Sequence, residues 1–596
     1  MSKTSIHSVP SVHENVDSAA PMGQAQTTPI NEKANGGYAG STHSSLRNRA
    51  NEKADVHSEE EMTDTEPEEE HRIFGLKKAR FTLLLHLVVG ILFTAYFVAA
   101  MVLHTSGSEV SSSNGPISIL IVIYAFTLLY LINCHLPEGF FARPADGTWK
   151  AVAKATHAVP DLARKIVGYA IFPIAIILTA VVPGDSEHAT RTQRLVSLLG
   201  LVFYLLVMFV TSRNRRLIHW PTVATGIGLQ YMLGLFVIKT SLGQTIFTYI
   251  GTAMASFLAF SSAGINFVVG DAFTKQFGSF ATGVLPAIIF FGAVIQIMYY
   301  YNIIQTAIGA IGRVVIYFFD VSGVEMAAAI AAPFVGMSES AMLVGPYLEH
   351  ATNAEIHQVM ASGFATISGS VYLGLISFNA EPVHLITCCI MSVPCAIVTS
   401  KMRYPEEEVP LTKGKAIKLE RPDEEDSFFH ALANGSILGM QLCIVISAVL
   451  VGFLSLLACA NYLLNWIFLF LGAQGVTLER ILGWVVFPFA WLMGVPTGEL
   501  EAASTIIGVK FVLNEFVAFA QAKEMIANGV FSARGKLLMT FACCSFANPS
   551  SLGSQISLLG KMAPTRAGDV ARVALSALCA GAMSTILSAC IAGIVM

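Results

Sequence analysis

Long apolar segments recur along the chain from Phe81 to the C-terminus, separated by short polar stretches. A helix that crosses the hydrocarbon core of a bilayer needs about 20 predominantly apolar residues. Eleven segments meet this requirement, so the pattern predicts an all-α polytopic membrane protein. The predicted spans lie at about 81–104, 116–134, 166–183, 195–212, 222–240, 282–302, 352–377, 381–400, 436–460, 538–560 and 572–594.

Three further apolar regions do not match simple spans. Those at about 324–348 and 478–520 are interrupted by Gly, Pro and Glu, and 245–261 is a candidate interfacial segment. Lys and Arg residues beside the spans place the N-terminus in the cytoplasm and the C-terminus outside the cell by the positive-inside rule. This alternation requires both interrupted regions to enter and leave on one side. They are therefore predicted to be re-entrant hairpins of opposite orientation.

The two hairpins belong to a pair of repeated units. In each unit a hairpin with one acidic residue, Glu339 or Glu515, precedes a span that small and polar residues interrupt, and another span follows. Inverted repeats with broken helices that meet at mid-membrane are the architecture of secondary transporters. The predicted fold is thus an inverted-repeat transporter core with about 11 transmembrane helices and two re-entrant hairpins.

The predicted organisation divides the chain into seven segments. They are a disordered cytoplasmic tail (1–73), three extra N-terminal transmembrane helices (74–194), scaffold helices (195–320), the first repeat (321–400), a charged cytoplasmic connection (401–435), a scaffold helix (436–475) and the second repeat (476–596). The tail is rich in Ser, Thr, Asn and Glu, and such a composition buries too little apolar surface to fold.

Composition and charge exclude a soluble protein. Hydrophobic residues make up 54% of the chain, and its mean hydropathy is +0.62. Outside residues 1–73 and 401–426, only 43 charged residues remain over 497 positions, about a third of the density of soluble domains. The bilayer is the expected partner. The net charge of −4 comes with no basic surface, so no nucleic-acid partner is expected.

Glu339 and Glu515 are candidate functional residues. An acid at membrane depth costs about 2.5 kcal/mol or more unless it faces a cavity or a partner. The alternative is that each acid only caps its hairpin or pairs within it, because Lys510 shares a helical face with Asn514 and is placed to neutralise part of the second hairpin.

A second group of candidate residues follows in the segment 546–551. Pro549 interrupts a helix there, and the neighbouring Asn and Ser side chains offer donors and acceptors that suit hydroxyl groups. Phe546 offers a flat face for a planar ring, although ordinary helix packing is the alternative. No cluster of Arg or Lys accompanies the two acids, so a neutral ligand is favoured over a phosphorylated one.

The chain shows no enzyme motif. The 15 histidines include no HExxH, and the serine at position 338 lacks the glycine that a nucleophile elbow requires. The ten cysteines lie in or beside apolar stretches without CxxC spacing, as expected of packed thiols. We expect a protein that is not an enzyme and has no cofactor or metal centre.

Four stretches resemble the motifs of concentrative nucleoside transporters. They are Phe334–Glu339 with Pro346–Leu348, Gly363–Val371, Lys510–Ala518, and Phe546–Pro564. The resemblance covers about residues 200–596, and the three earlier spans resemble the extra N-terminal helices of eukaryotic members. It implies a homotrimeric symporter of the plasma membrane, in which the domain that carries the hairpins moves across the bilayer.

The resemblance also implies which residues bind the nucleoside. Met337, Ser338, Glu339 and Val371 would face the base, Phe546 would pack beside the base, and Glu515, Asn548 and Ser551 would hold the ribose hydroxyls. A buried site built for hydroxyls rejects analogues that lack them, because its own polar groups are then left unpaired.

The sodium-site positions of the resemblance, Ala332, Val335, Thr366 and Ile367, depart from the family pattern. At the tip of the first hairpin, sodium-coupled members carry a stretch similar to Asn-Ile-Phe-Val-Gly, with the Asn a sodium ligand. This chain reads Ala332-Pro333-Phe334-Val335-Gly336 there. Ala332 has no side-chain oxygen, and a hard cation needs several oxygen ligands. The site is therefore expected to be degenerate. The prediction is proton coupling through Glu339, because burial favours the protonated form of a carboxyl group; Na+ is the alternative coupling ion.

A second departure concerns the base. At the tip of the first hairpin, Gly336-Met337 resembles the residues of the purine-preferring members. After the first break, Ser370-Val371 resembles the residues of broadly selective members. The predicted function is proton-coupled import of purine nucleosides, with uridine as a further candidate substrate. The alternatives are a sodium-coupled nucleoside symporter, a passive nucleoside facilitator or channel that uses the same pocket, and an intramembrane enzyme, which the lack of a catalytic motif disfavours.

Overall fold

The computed structural model describes most of the chain from Arg72 onward. The described residues are 72–73, 76–105, 120, 124, 127–128, 161–186, 188–276, 280–319, 321–414, 417, 419, 425–473 and 475–596. The predicted tail at 1–73 lies outside the described residues except for its last two residues. Nearly all of the predicted span at 116–134 and part of the charged connection at 401–435 also lie outside them.

The chain divides into two compact units, Met1–Val89 and Gly90–Met596. In the first unit, strands β1 (Arg72–Ile73) and β2 (Leu76–Lys77) pair antiparallel, and helix α1 (Lys78–Thr105) begins. In the described part of the second unit the only strand-like pairing is a single bridge between Ser322 and Lys413. The predicted all-α class is thus confirmed.

Between residue 160 and the first repeat, the described residues form nine helices. They are α2 (Asp161–Val181), α3 (Arg191–Val210), α4 (Trp220–Lys239), α5 (Ser241–Ala259), α6 (Ser261–Val269), α7 (Asp271–Gln276), α8 (Phe280–Gly283), α9 (Leu285–Tyr300) and α10 (Ile303–Phe318). Side chains set several of their starts. Thr190, for example, accepts a hydrogen bond from the Gln193 backbone N–H, and the Gln193 side chain accepts one from the Thr190 N–H, which forms a capping box for α3.

The first repeat contains a hairpin, a broken helix and a long helix. The first hairpin is α11 (Gly323–Val335) and α12 (Met337–Leu343), the broken helix is α13 (Asn353–Ala365) and α14 (Gly369–Ser377), and the long helix is α15 (Pro382–Arg403). We call residues 366–368 the first break. Helices α16 (Phe428–Leu469) and α17 (Leu478–Leu492) follow.

The second repeat has the same order of elements. The second hairpin is α18 (Leu500–Val512) and α19 (Glu515–Ala527), the broken helix is α20 (Ala533–Cys543) and α21 (Pro549–Met562), and the long helix is α22 (Ala567–Val595). We call residues 544–548 the second break. Short 3-10 turns occur at 215–217, 345–350, 497–499 and 564–566. The broken helices predicted at 352–377 and 538–560 are confirmed.

The second hairpin lies further along the chain than predicted. The sequence assigned it to 478–520, but residues 478–492 form the separate helix α17. That helix ends at Leu492, two residues before Gly494, whose φ of 87° is a left-handed conformation that favours glycine. Pro496 then follows before the hairpin begins. The first hairpin agrees with its predicted range, and its tip turns at Gly336, where φ is 112°.

Seven helical segments among the described residues are long and apolar enough to cross a membrane. They are Arg191–Val210, Trp220–Lys239, Ser241–Val269, Phe280–Tyr300, Pro382–Arg403, Phe428–Leu469 and Pro564–Val595. Six of them coincide with predicted spans, whereas Ser241–Val269 contains the region that the sequence assigned to the interface. Large apolar side chains such as Ile444 and Val451 of α16 are exposed, as expected of surfaces that face lipid.

Small residues bring α9 and α16 into close contact. A Cβ on Gly435 would lie 2.5 Å from the Gly292 carbonyl oxygen, and a Cβ on Gly439 would lie 2.7 Å from the Ile289 Cα. Only glycine fits at these positions without a shift of the backbone. Close packing through small residues is a common way to associate helices in lipid, and here it places α16 against α9.

Candidate functional site

Four helix N-termini meet at one cavity. Helices α12 and α19 begin at the tips of the two hairpins, and α14 and α21 begin directly after the two breaks. Residues from the start of all four helices line the cavity. Because helix N-termini carry partial positive charge and unpaired N–H groups, such a site favours carboxylates and other hydrogen-bond acceptors.

All eight substrate-binding residues predicted from the sequence line this cavity. They are Met337, Ser338, Glu339, Val371, Glu515, Phe546, Asn548 and Ser551. The folding of two distant repeats into one site therefore brings the predicted residues together. Their individual roles toward the base and the ribose stay predictions.

The end of the cavity near Glu339 is formed by the tip of the first hairpin. Gly336 caps α12, and a Cβ there would lie 2.9 Å from both the Ser368 Cβ and the Glu339 Oε2, so the tip approaches the first break closely. Gln555 Nε2 donates a hydrogen bond to the Met337 carbonyl at 2.8 Å. Glu339 itself is half-buried, and no side chain of another described residue donates a hydrogen bond to it.

The second hairpin and the second break contribute Glu515 and Asn548 to the cavity. Asn548 Nδ2 donates a hydrogen bond to Glu515 Oε2 at 3.0 Å, and Asn548 Oδ1 accepts one from the Ser551 backbone N–H at 2.9 Å. These two bonds fix the orientation of the Asn548 amide. A carboxylate has about four acceptor positions, so Glu515 keeps acceptor capacity for a ligand that donates hydroxyl hydrogens.

The two breaks are joined directly to each other. The Phe546 backbone N–H donates a hydrogen bond to the Thr366 carbonyl at 3.2 Å. Helix α21 begins at Pro549, whose missing N–H costs nothing at the first position of a helix. Phe546 is 8% exposed and its ring lines the cavity, so the second break presents an aromatic face and an amide within three residues.

The structure adds lining residues that the sequence did not indicate. One wall consists of apolar side chains of α16, namely Leu442, Val445, Ile446 and Val449. Their spacing of three and four residues matches one helical face, but in a helix that is apolar on all sides no sequence signal sets this face apart. Polar lining residues outside the eight predicted ones are Ser368, Ser370, Asn514, Ser550 and Ser554; of these, Ser550 lies in the polar segment 546–551 that the sequence analysis had singled out.

Lys510 does not pair directly with Glu515. Its Nζ donates a hydrogen bond to Ser545 Oγ at 2.6 Å, and no ion pair within 4 Å joins the two charged groups. The alternative in which the second acid is neutralised by contact with Lys510 therefore does not describe this structure. Glu515 is instead held by Asn548 and faces the cavity.

The sodium-site positions are buried, two in the first hairpin and two in the first break. Ala332, Val335, Thr366 and Ile367 are each at most 3% exposed. Thr366 Oγ1 is buried and has no hydrogen-bond partner among the described residues, so this oxygen is available to a ligand. The described residues contain no group of three or more His, Cys, Asp or Glu side chains able to hold a metal ion.

Three family models match most of the second unit. The model for the N-terminus of Na+ dependent nucleoside transporters matches residues 199–272, and the model for their C-terminus matches residues 384–593. Between them, a gate model described as nucleoside recognition matches residues 281–381. These ranges include both hairpins and both breaks.

Curated relatives are similar over most of the chain. Sodium/nucleoside cotransporter 2 of Rattus norvegicus is 33% identical over 516 residues, which cover 84% of this chain and 75% of the relative. Solute carrier family 28 member 3 of Mus musculus is 36% identical over 416 residues, which cover 67% of this chain and 59% of that protein.

Solved structures show a similar fold. The transporter CNTnw in an inward-facing substrate-bound state has a TM-score of 0.64 and 31% sequence identity, with 67% of this chain and 97% of that chain covered. A double variant of CNTnw in an outward-facing state has a TM-score of 0.65 and 31% identity, with coverage of 68% and 99%.

Proposed function

Because this chain belongs to the concentrative nucleoside transporter family, we propose that it is a secondary active symporter that carries nucleosides across a membrane. The observation that carries the proposal is the cavity between the two hairpins and the two breaks, where an oriented amide, a carboxylate and an aromatic ring lie together. These groups suit a ligand with hydroxyls and a planar ring. The nearby helix N-termini suit its acceptor atoms.

The roles proposed for the site residues follow from this arrangement. Glu515, Asn548 and Ser551 bind the ribose hydroxyls, because a carboxylate and an oriented amide are hydrogen-bonded to each other there. Phe546 packs beside the base. The first hairpin and Val371 contact the base, with Met337 and Ser338 at the tip of that hairpin and Glu339 in the first turn of α12.

Sodium is the coupling ion that the comparisons favour over the proton predicted from the sequence. The curated relatives include proteins named sodium/nucleoside cotransporters, and two matched family models are described as Na+ dependent. The unpartnered Thr366 hydroxyl supports a cation at this place. Proton coupling through Glu339 is the second candidate, because Ala332 contributes a methyl group where an oxygen ligand is expected.

Uptake into liposomes under separate gradients tests the coupling. With protein reconstituted and labelled adenosine outside, an inward Na+ gradient should drive accumulation above the external concentration. Thr366→Val, which removes one oxygen, should raise the Na+ concentration for half-maximal uptake, and Thr366→Ser should preserve it. Accumulation that a pH gradient alone drives and that Na+ does not change would identify the proton as the coupling ion. Equilibration of adenosine without accumulation would indicate a passive facilitator.

The proposed substrates are purine nucleosides and uridine. Met337 and Val371 add two apolar side chains to the cavity lining, and a purine has a larger ring face than a pyrimidine to bury against them. Competition for labelled adenosine uptake tests this proposal. Inosine and uridine should compete better than cytidine and thymidine, and equal competition by cytidine and inosine would contradict it.

The membrane arrangement is also proposed. We infer a plasma-membrane location with the N-terminus in the cytoplasm, the C-terminus outside and the loop after α15 inside, from the distribution of Lys and Arg beside the spans. A homotrimer is proposed on the family resemblance. Accessibility of terminal epitope tags in intact and permeabilised cells tests the orientation, and the mass of the detergent-solubilised protein tests the trimer.

A further inference from the structure

Lys510 is a fully buried cation between the second hairpin and the second break. It lies in the last turn of α18 and is 0% exposed. Its Nζ donates a hydrogen bond to Ser545 Oγ at 2.6 Å and lies 4.1 Å from the centre of the Phe511 ring. Ser545 is also 0% exposed. Burial of a charge is costly unless hydrogen bonds and nearby charges compensate it, so the position of this ammonium group needs an explanation.

The Lys510 contact is one of two hydrogen bonds that join the same two segments. The second is the bond from Asn548 to Glu515. On the hairpin the two bonded residues are five positions apart, and on the break they are three positions apart. Between them, the Phe546 backbone is bonded to the first break. A shift of Ser545 away from the hairpin would therefore move both the aromatic ring and the amide that line the cavity.

Lys510 also acts on Glu515 through its charge. The two groups interact electrostatically without an ion pair. In a low-dielectric interior such an interaction is screened only weakly. The ammonium group thus offsets part of the carboxylate charge without occupying the acceptor positions that a ligand would use. Direct pairing would instead occupy those positions.

The first repeat lacks this arrangement. The hairpins share a Phe-Val pair before the tip, Phe334-Val335 in the first and Phe511-Val512 in the second. Lys510 precedes this pair in the second hairpin, whereas Pro333 precedes it in the first. The cation therefore belongs to the end of the cavity that we assign to the ribose.

We propose that Lys510 is a positioning residue for ribose recognition. Its bond to Ser545 holds the second break against the second hairpin, which keeps Asn548 and Glu515 in the arrangement that binds hydroxyl groups. This inference rests on the proposed function and adds to it a residue that does not line the cavity. It predicts that loss of the ammonium group raises the KM for adenosine and lowers the preference for adenosine over analogues that lack a ribose hydroxyl.

The test compares Lys510→Met with Lys510→Arg and with the control Lys523→Met, which removes an exposed lysine from the same hairpin. Uptake of adenosine and of 2′-deoxyadenosine is measured at equal amounts of protein in the membrane. Lys510→Met should raise the KM for adenosine about tenfold or more, as expected for the loss of a hydrogen bond that involves a charged group. The preference for adenosine over the deoxy analogue should fall, and Lys510→Arg should restore part of it.

Ser545→Ala provides a second, independent variant if Lys510→Met does not reach the membrane. It removes only the acceptor of the 2.6 Å bond, and it should change KM and the ribose preference in the same direction. If both variants kept the wild-type KM for adenosine and the wild-type preference for adenosine over 2′-deoxyadenosine, the inference would be overturned. A lower maximal rate with unchanged KM and preference would overturn it as well. If wild-type protein takes up no nucleoside, the proposed function fails instead.

Discussion

Glu515→Gln is the sharpest test of ribose recognition, because the structure dictates how the new side chain must sit. Asn548 Oδ1 is committed to the Ser551 N–H, so Asn548 presents its N–H to position 515. The oxygen of the new glutamine must accept that N–H, and its NH2 group then faces the cavity. The substitution therefore converts a charged acceptor into a neutral donor at nearly constant size.

The expected magnitude follows from the bonds that are lost. A hydrogen bond that involves a charged group contributes about 1.5–3 kcal/mol, which corresponds to about a 10- to 150-fold change in affinity. In Glu515→Gln, a ribose hydroxyl that donates to Glu515 loses this hydrogen bond. Its O–H then faces the NH2 group of the glutamine, which is also a donor. We expect the KM for adenosine to rise within this range and the KM for its 2′- or 3′-deoxy analogue, whichever lacks the bonded hydroxyl, to change little.

Uptake in liposomes, with each nucleoside at several concentrations, gives the KM ratios. Glu524→Gln serves as the matched control because Glu524 is exposed on the same helix, α19. Adding Asn548→Asp to Glu515→Gln should recover part of the affinity: the new aspartate accepts the amide N–H and turns the glutamine oxygen back toward the cavity. An unchanged ratio of adenosine to both deoxy analogues in Glu515→Gln would refute the assignment of the ribose to this end.

Three further predictions concern other parts of the molecule. Phe546→Ala should raise the KM for all nucleosides by up to about tenfold, since the ring face contributes about 0.5–1.5 kcal/mol, and an unchanged KM would return this ring to ordinary packing. Arg534 donates to two backbone carbonyls and a serine hydroxyl at 2.8–2.9 Å. Arg534→Met leaves these buried acceptors without a donor and should destabilise the protein by about 3 kcal/mol, seen as a lower Tm in detergent. Gly435→Leu should lower the Tm by forcing α16 from α9, at a cost of about 1–3 kcal/mol.

Much of the site was predictable because its chemistry is unusual for a lipid-embedded chain. Acids, an Asn-Pro pair and clustered serines stand out against apolar helices, and the same order of elements in two repeats placed them at equivalent positions. The eight predicted residues accordingly line one cavity. The helix breaks were predictable for the same reason, since Pro549 and the small polar residues around it oppose a continuous helix.

The remaining features depend on packing that composition does not encode. The α16 wall is built from residues such as Val445, and its lipid-facing sides carry the same kinds of side chain. The second hairpin begins later than predicted because apolar content alone does not distinguish α17 from the hairpin, although Gly494 and Pro496 mark the boundary. The partner of Lys510 is Ser545, 35 residues away, whereas helical spacing related Lys510 only to Asn514 in its own hairpin.

The two acids of the cavity differ in how their charges are compensated, and this difference predicts the number of coupling ions. Glu515 has Asn548 as a donor and Lys510 as a nearby cation. Among the described residues, Glu339 has neither a side-chain donor nor a nearby cation. An uncompensated charge is costly in the hydrocarbon core, so a bound cation must neutralise Glu339 before the binding site moves across the membrane. We therefore expect one cation per nucleoside, whether Na+ or H+, measured as charge moved per labelled uridine taken up under voltage clamp. In Glu339→Gln the charge moved per uridine should fall toward zero; a ratio of two in the wild-type protein would show that Lys510 does not replace a second cation.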